Sequence, residues 1–69
     1  MRRDPVEPLS DRERDVLRLL RSALTGPQVA RELGMSVHTL RSHTKSIYAK
    51  LDVHGRREAV ARADELDLT

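Results

Sequence analysis

The sequence contains no cysteine, no phenylalanine, no tryptophan and only one tyrosine among its 69 residues. Without cysteine there can be no disulfide bond and no thiolate metal site, and the usual zinc-finger spacings are absent. With so few aromatic side chains, the core must consist of Leu, Val, Ile and Ala, which favours a helical bundle over a sandwich. A domain of this size buries only about 60% of the surface that its unfolded chain exposes, so nearly every apolar residue is needed.

Long apolar runs are also missing. No stretch approaches the roughly 18 apolar residues that cross a bilayer, and the first residues, MRRDPVEP, lack the apolar region of a secretion signal. We therefore expect no membrane association and an intracellular location. Residues 1–8 carry two prolines and four charges, which predicts a flexible tail or linker. Residues 9–69 are predicted to form a single domain.

Positive charge is concentrated in the middle of the chain, although the whole sequence has a net charge of only +2. Residues 36–57 contain five Lys and Arg residues against one Asp, and all three histidines lie in the same segment. Residues 58–69 are net acidic. A basic segment between neutral and acidic flanks is typical of a protein that binds a polyanion. A solvated helix with scattered charges would have the same composition.

Start and stop signals predict two helices in the first half of the chain. The segment Ser-Asp-Arg-Glu at residues 10–13 is a capping box, and apolar side chains follow at helical spacing: Val16, Leu17, Leu20, Ala23 and Leu24. Thr25 and Gln28 repeat the capping signal for a short second helix. This helix buries Val29, Ala30 and Leu33, and it ends at Gly34, where glycine adopts a left-handed conformation at little cost.

The third helix is predicted to begin after its cap, Ser36, and to run to about Leu51. At 100° per residue, one stripe within about 40° of Leu40 faces the core: Leu40, Thr44, Ile47 and Leu51. Four polar or basic residues and one alanine cluster on the opposite side: His38, Arg41, Ser42, Lys45 and Ala49. A fourth helix begins near Gly55 and has a thin apolar face. The sequence therefore predicts an all-α fold with four helices.

The second and third helices, joined by Gly34-Met35-Ser36, have the pattern of a helix-turn-helix motif. In that motif the second helix enters the major groove of DNA, and its N-terminal residues face the base edges. The alternative is an ordinary helical hairpin whose polar side faces solvent.

Three stretches of the chain resemble one known family. LSDRERDVLRLL, QVARELGMSVHTLRSH and IYAKLDVHGRREAV, the last followed by ARA, are similar to the LuxR-type (GerE-type) DNA-binding domain of bacterial transcription regulators. The resemblance covers residues 9–63 without a gap. It implies a four-helix domain that binds double-stranded DNA sequence-specifically, as the output domain of a regulator, with residues 37–51 as the recognition helix.

Within the family, the segments VEPLS and VARADELDL look most like the MalT-like subgroup, where the domain closes a much larger ATP-dependent regulator. Response regulators end in nearly the same domain. The sequence departs from the family pattern at three places: Ala23 and Asp52 stand where glycine is usual, and Gly26-Pro27 replaces a more polar pair. Aspartate adopts the left-handed conformation less readily than glycine, so we expect slight strain at Asp52.

The resemblance assigns base reading to Arg41, Ser42 and Lys45, residues that the helical count places outward independently. Arg41 can donate to two acceptors of one guanine. Contacts to the DNA backbone are predicted at Thr25, Ser36, His38, Thr39, His43, Lys50 and Arg56. For Arg56 the alternative is an internal ion pair, with Glu13 as a candidate partner.

The resemblance also implies a dimer through the fourth helix, with Val60 and Asp64 as candidate contacts, and the dimer of this chain is expected to be weak. RNA polymerase is a further expected partner, and the expected location is the cytoplasm, associated with the nucleoid. No cofactor, metal site or small-molecule ligand is expected. An enzyme is not expected either, because the chain has no phosphate-binding glycine loop and no converging acid–base pair.

Two other functions are compatible with part of the pattern. Region 4 of sigma factors has a similar entry sequence and helix-turn-helix, but the long IYAKL end of the third helix argues against it. A helical protein-interaction module without DNA binding would expose an apolar patch, whereas the free face of the third helix is polar and basic.

Overall fold

The computed structural model describes residues 9–66, and these residues form four helices and no strand. The helices are α1 (Asp11–Leu20), α2 (Gly26–Glu32), α3 (Val37–Leu51) and α4 (Arg56–Leu66). The all-α, four-helix fold predicted from the sequence is confirmed. The tail predicted for residues 1–8 and the last residues of the predicted domain, 67–69, lie outside the described residues.

The predicted capping box begins α1. Ser10 Oγ accepts a hydrogen bond from the Glu13 amide at 3.1 Å, and the Ser10 amide donates to Glu13 Oε1 at 2.9 Å. These bonds satisfy two amides that no carbonyl of the helix can reach. Val16, Leu17 and Leu20 follow on one face and are buried in the core.

The sequence predicts that the apolar face of α1 continues to Ala23 and Leu24, and this prediction is wrong. The helix ends at Leu20, Ala23 is exposed, and Leu24 is half-buried against the core from the connecting loop. The Arg56 guanidinium donates to the carbonyls of Leu20 and Ser22 at 2.9 and 3.0 Å. Because a side chain from α4 satisfies these carbonyls, the chain can leave the helix one turn earlier than its spacing of apolar residues indicates.

The predicted capping box of α2 is also present. Thr25 Oγ1 accepts from the Gln28 amide at 3.3 Å, and the Thr25 amide donates to Gln28 Oε1 at 2.8 Å. Pro27 lies in the first turn, where its missing amide costs no helical hydrogen bond. Val29 and Ala30 are buried, so this short helix is held mainly by its inward side.

Two turns of the same kind precede and follow α3. Gly34 and Asp52 both adopt the left-handed conformation, with φ of 69° and 58°. The amides of Gly34 and Met35 donate to carbonyls three and five residues earlier, and those of Asp52 and Val53 repeat this pattern. This is the Schellman arrangement, which normally places glycine at the left-handed position. The left-handed turn expected at Asp52 is therefore confirmed.

The core is built around α3, which packs against each of the other three helices. Leu40, Ile47 and Leu51 are buried, and Thr44 is half-buried, as the helical count predicts. With its back held on three sides, α3 presents one fixed face to solvent. None of the helices in the described part of the chain is both long and apolar enough to cross a membrane.

Candidate nucleic-acid interface

The outward face of α3 is polar and basic. All five side chains that the helical count places there are exposed: His38, Arg41, Ser42, Lys45 and Ala49. Within residues 9–66, no side chain or carbonyl forms a hydrogen bond or ion pair with the side chain of Arg41, Ser42 or Lys45. The hydrogen-bond donors of these residues are therefore available to an external ligand.

The N-terminus of α3 is capped from within. Ser36 Oγ accepts from the Thr39 amide at 3.0 Å and donates to Thr39 Oγ1 at 3.0 Å. The amides of Val37 and His38 have no acceptor among the described residues. Free amides at a helix N-terminus, together with the helix dipole, favour an anion at this position.

Thr25 and His43, which are also predicted to contact the DNA backbone, lie in different environments. Thr25 is exposed at the start of α2, next to Gly26, and a β-carbon at Gly26 would lie 3.9 Å from Leu40 Cδ2. The starts of α2 and α3 are therefore close together, which brings Thr25 to the same end of the motif as Ser36. His43 is half-buried at the edge of the core stripe of α3.

Lys50 has an internal partner. Its Nζ lies 2.8 Å from Glu13 Oε1, and Ser46 Oγ donates to Glu13 Oε2 at 2.6 Å. The Lys50 side chain is 22% exposed and that of Glu13 only 7%. Since Glu13 also belongs to the capping box of α1, this cluster joins the N-terminus of α1 to the last two turns of α3. Contact of Lys50 with a phosphate stays a prediction.

The charge of Glu13 is stabilised by this cluster. Burial by itself raises the pKa of Glu13, but hydrogen bonds from Lys50, Ser46 and the Ser10 amide, with the charge of Lys50, outweigh it. The pKa of Glu13 is thereby lowered from 4.5 to about 2. The carboxylate stays ionised far below neutral pH because its donors favour the charged form.

Arg56 also has internal partners, namely the Leu20 and Ser22 carbonyls. The alternative predicted for it, an ion pair with Glu13, is wrong, because Lys50 takes that position. Arg56 lies near Tyr48, whose pKa is raised by burial and lowered in part by the Arg56 charge. Contact of Arg56 with a phosphate likewise stays a prediction.

The two predicted dimer residues line a groove between the end of α1 and α4. The groove has a volume of about 500 Å³ and is lined by Leu20, Arg21, Arg56, Arg57, Val60, Ala61 and Asp64. Val60 is half-buried, and the exposed Asp64 forms an ion pair with Arg21. Ala59 and Ala63 face inward and are fully buried, so they add no apolar surface to this groove.

Three further cations, not singled out from the sequence, also lack a side-chain partner among the described residues: Arg14, Arg31 and Arg57. Arg31 lies in the last turn of α2, where a basic residue also complements the helix dipole. The sequence alone therefore does not distinguish whether Arg31 contacts a ligand or only complements the helix dipole. Residues 9–66 contain no group of His, Asp and Glu side chains that could hold a metal ion.

Comparison with known families gives one match over most of the chain. Residues 7–63 match GerE, the family described as bacterial regulatory proteins, luxR family.

The individual relatives are described as transcriptional regulators. The chain is 39% identical over 61 residues to the HTH-type transcriptional regulator MalT of Vibrio cholerae, covering 88% of this chain and 7% of MalT. It is 43% identical over 58 residues to SgaR of Hyphomicrobium methylovorum, described as a transcriptional regulatory protein, covering 84% of this chain and 28% of SgaR. The segments at both ends of the chain resemble the MalT-like subgroup of the family.

Among solved structures, the fold is similar to the response regulator ChrA of a heme-sensing two-component system. The TM-score is 0.89 at 35% sequence identity, over 94% of this chain and 32% of ChrA. In all three comparisons the chain spans less than a third of the other protein.

Proposed function

Because the chain belongs to the LuxR family of bacterial regulatory proteins, we propose that it binds double-stranded DNA sequence-specifically as the output domain of a larger transcription regulator. The observation that carries this proposal is the outward face of α3, where Arg41 and Lys45 have no partner among the described residues. Membership of this family also decides against region 4 of a sigma factor.

In this proposal α3 lies in the major groove, which is about 12 Å wide and admits one helix. Arg41 donates to O6 and N7 of a guanine, the pairing that its forked guanidinium fits best. Lys45, one turn further along the helix, reaches a second base edge. Ser42 is short, so it contacts a base only where the helix approaches the groove floor closely.

Phosphate contacts hold the helix in register without reading sequence. We assign them first to Thr25, Ser36 and Thr39 and to the free amides at the start of α3. His43 approaches the backbone from the edge of the helix. Lys50 and Arg56 hold α3 and α4 in place through their internal partners, and a phosphate contact by either is a second role, which the salt dependence of binding tests.

The regulator's other activities are assigned to segments outside these residues. We infer that signal sensing belongs to the rest of a longer protein, because the relatives are several times the length of this chain. We further propose that the domain pairs weakly through Val60 and Asp64 on α4, contacts RNA polymerase and acts in the cytoplasm on the nucleoid. Its role is binding and not catalysis.

The proposal is tested by fluorescence anisotropy of labelled duplex DNA, titrated with the chain at several salt concentrations. We expect the logarithm of affinity to fall linearly with the logarithm of salt concentration, because phosphate contacts release counterions. Arg41→Ala and Lys45→Ala should each weaken binding to a selected site about tenfold or more, since a good base contact contributes about 1–3 kcal/mol.

Arg62→Ala is the matched control, because it removes one positive charge from α4, where Arg62 pairs with Glu65 at 3.2 Å. It should change affinity by less than twofold. If wild-type chain binds no duplex even at low salt, or if the Arg62 variant loses as much affinity as the Arg41 variant, direct reading by α3 is wrong. Binding to a protein partner through α3 without DNA would instead support the interaction module.

A further inference from the structure

His38 lies on the same face of α3 as the proposed base readers. At 100° per residue it is about 20° from Lys45 and about 40° from Ser42 around the helix axis. It precedes Arg41 by three residues and Ser42 by four, the spacings at which helical side chains are neighbours. All of these side chains are exposed. His38 therefore extends the outward face of α3 by one turn towards its N-terminus.

The adjacent residue, Thr39, points about 100° away from His38 around the helix. Its hydroxyl and amide are both engaged with Ser36 Oγ at 3.0 Å in the cap of α3. The imidazole of His38, in contrast, has no hydrogen-bond partner among the described residues. The start of α3 therefore holds two different groups of donors: the cap and the free amides lie at the flank, and the free imidazole of His38 lies on the outward face.

We propose that His38 is a specificity-determining residue that reads a purine next to the base pair read by Arg41. This inference rests on the proposed function, and it moves His38 from the phosphate contacts predicted above to the base contacts. Along the axis of α3 the two residues are about 4.5 Å apart, close to the rise of about 3.4 Å per base pair. When α3 follows the groove, His38 therefore faces the neighbouring base pair.

The imidazole has the chemistry for this contact. A ring N–H donates to N7 of a purine, and guanine offers O6 beside it as a second acceptor. In the major groove a pyrimidine in the same place offers no N7 acceptor. We therefore expect a preference for guanine over adenine and for either purine over a pyrimidine at this one position.

The experiment selects duplexes from a random pool with the wild-type chain and then measures affinity for all four base pairs at each position of the selected site. His38→Ala should reduce the preference at one position, next to that of Arg41, from about fivefold to less than twofold, since one hydrogen bond of this kind is lost. Preferences at all other positions should be unchanged. His38→Gln should shift the preference at the same position to adenine, whose N6 and N7 pair with a glutamine amide.

Thr39→Val is the matched control at the flank, because it removes the hydroxyl that lies 100° from His38. It should weaken binding to all duplexes by a similar factor and leave every base preference unchanged. Unfolding curves of each variant confirm that the chain folds.

A uniform loss of affinity in His38→Ala, with every base preference intact, overturns the inference and makes His38 a phosphate contact. An unchanged affinity and preference overturns it as well. Arg41→Ala is measured in parallel to separate the two proposals. If the wild type selects no sequence, or if Arg41→Ala changes no preference, the proposed function itself fails and the inference fails with it.

Discussion

The front half of α3, residues 37–45, and its back half, residues 46–51, use positive charge in opposite ways. Lys45 is exposed and has no side-chain partner among the described residues, whereas Lys50 binds Glu13 Oε1 at 2.8 Å. A cation without an internal partner can bind an external anion without breaking a contact of the fold. A paired and half-buried cation instead holds the helix against its neighbour. The back half of α3 therefore fixes the position of the front half, which we propose reads DNA.

The strongest test of this difference is the removal of Glu13. Glu13→Ala should lower the free energy of unfolding by about 3 kcal/mol, because it deletes half of the α1 capping box and leaves Lys50 without its partner carboxylate. Chemical unfolding followed by helical circular dichroism measures this loss. Asp11→Ala, at an exposed position in the same turn, should cost about 0.5 kcal/mol. Equal losses in the two variants would show that the cluster at the back of α3 contributes little.

Lowering the pH should reduce the free energy of unfolding through the same contact between Glu13 and Lys50. The pKa of Glu13 is lowered from 4.5 to about 2, so folding gains stability from this carboxylate above pH 4.5. That stability is lost as the pH falls towards 2, and it amounts to about 3 kcal/mol. Glu13→Gln should be less stable than wild type at neutral pH and should lose less stability across this range. The difference between the two pH profiles isolates Glu13 from the other carboxylates, and parallel profiles would contradict the assignment.

The two lysines of α3 provide a matched pair. Lys50→Ala should lower the free energy of unfolding by about 2 kcal/mol, less than for a fully buried pair because Lys50 still reaches solvent. Lys45→Ala should change stability by less than about 0.5 kcal/mol but weaken DNA binding about tenfold. Unfolding and anisotropy measurements on both variants separate the two effects. The comparison fails if Lys45→Ala destabilises the fold as much as Lys50→Ala does.

The smallest effects are expected at the two turns that bound α3. Asp52→Gly should raise the free energy of unfolding by about 0.5–1 kcal/mol, because glycine adopts a φ of 58° without strain. Gly34→Ala should lower it by about 1 kcal/mol. Apart from residues 33–35, no atom of the described residues lies within 4 Å of where a β-carbon at Gly34 would be, so this cost is conformational and not steric. Thermal unfolding detects both changes, and a stabilised Gly34→Ala variant would contradict the role of the left-handed turn.

The starts of the helices were predictable because each depends on neighbours in the sequence. Ser10, Thr25 and Ser36 each accept a hydrogen bond from the amide three residues later. The two faces of α3 were predictable for a similar reason, since a regular helix turns by a constant angle and the apolar side must be buried. The proposed base readers follow from this local geometry together with the family resemblance.

The pairing of charges was not predictable. Glu13 and Lys50 are 37 residues apart. The helical count places Lys50 off the outward face of α3, but nothing in the residues near it indicates Glu13 as its partner. Arg56 also took partners that no pattern indicated, the carbonyls of Leu20 and Ser22. These hydrogen bonds from Arg56 on α4 also explain why the predicted last turn of α1 was wrong.

The sequence by itself determined the presence of four helices, the N-terminal caps of α1, α2 and α3, and the outward direction of Arg41, Ser42 and Lys45. These features depend on contacts within one helical turn or on a fixed angle per residue, so they can be derived without knowing the fold. Only the tertiary structure decided which cations are free and which hold the helices together. That outcome depends on which carboxylates and carbonyls distant segments bring within hydrogen-bonding distance, and packing of α1 and α4 against α3 sets these distances.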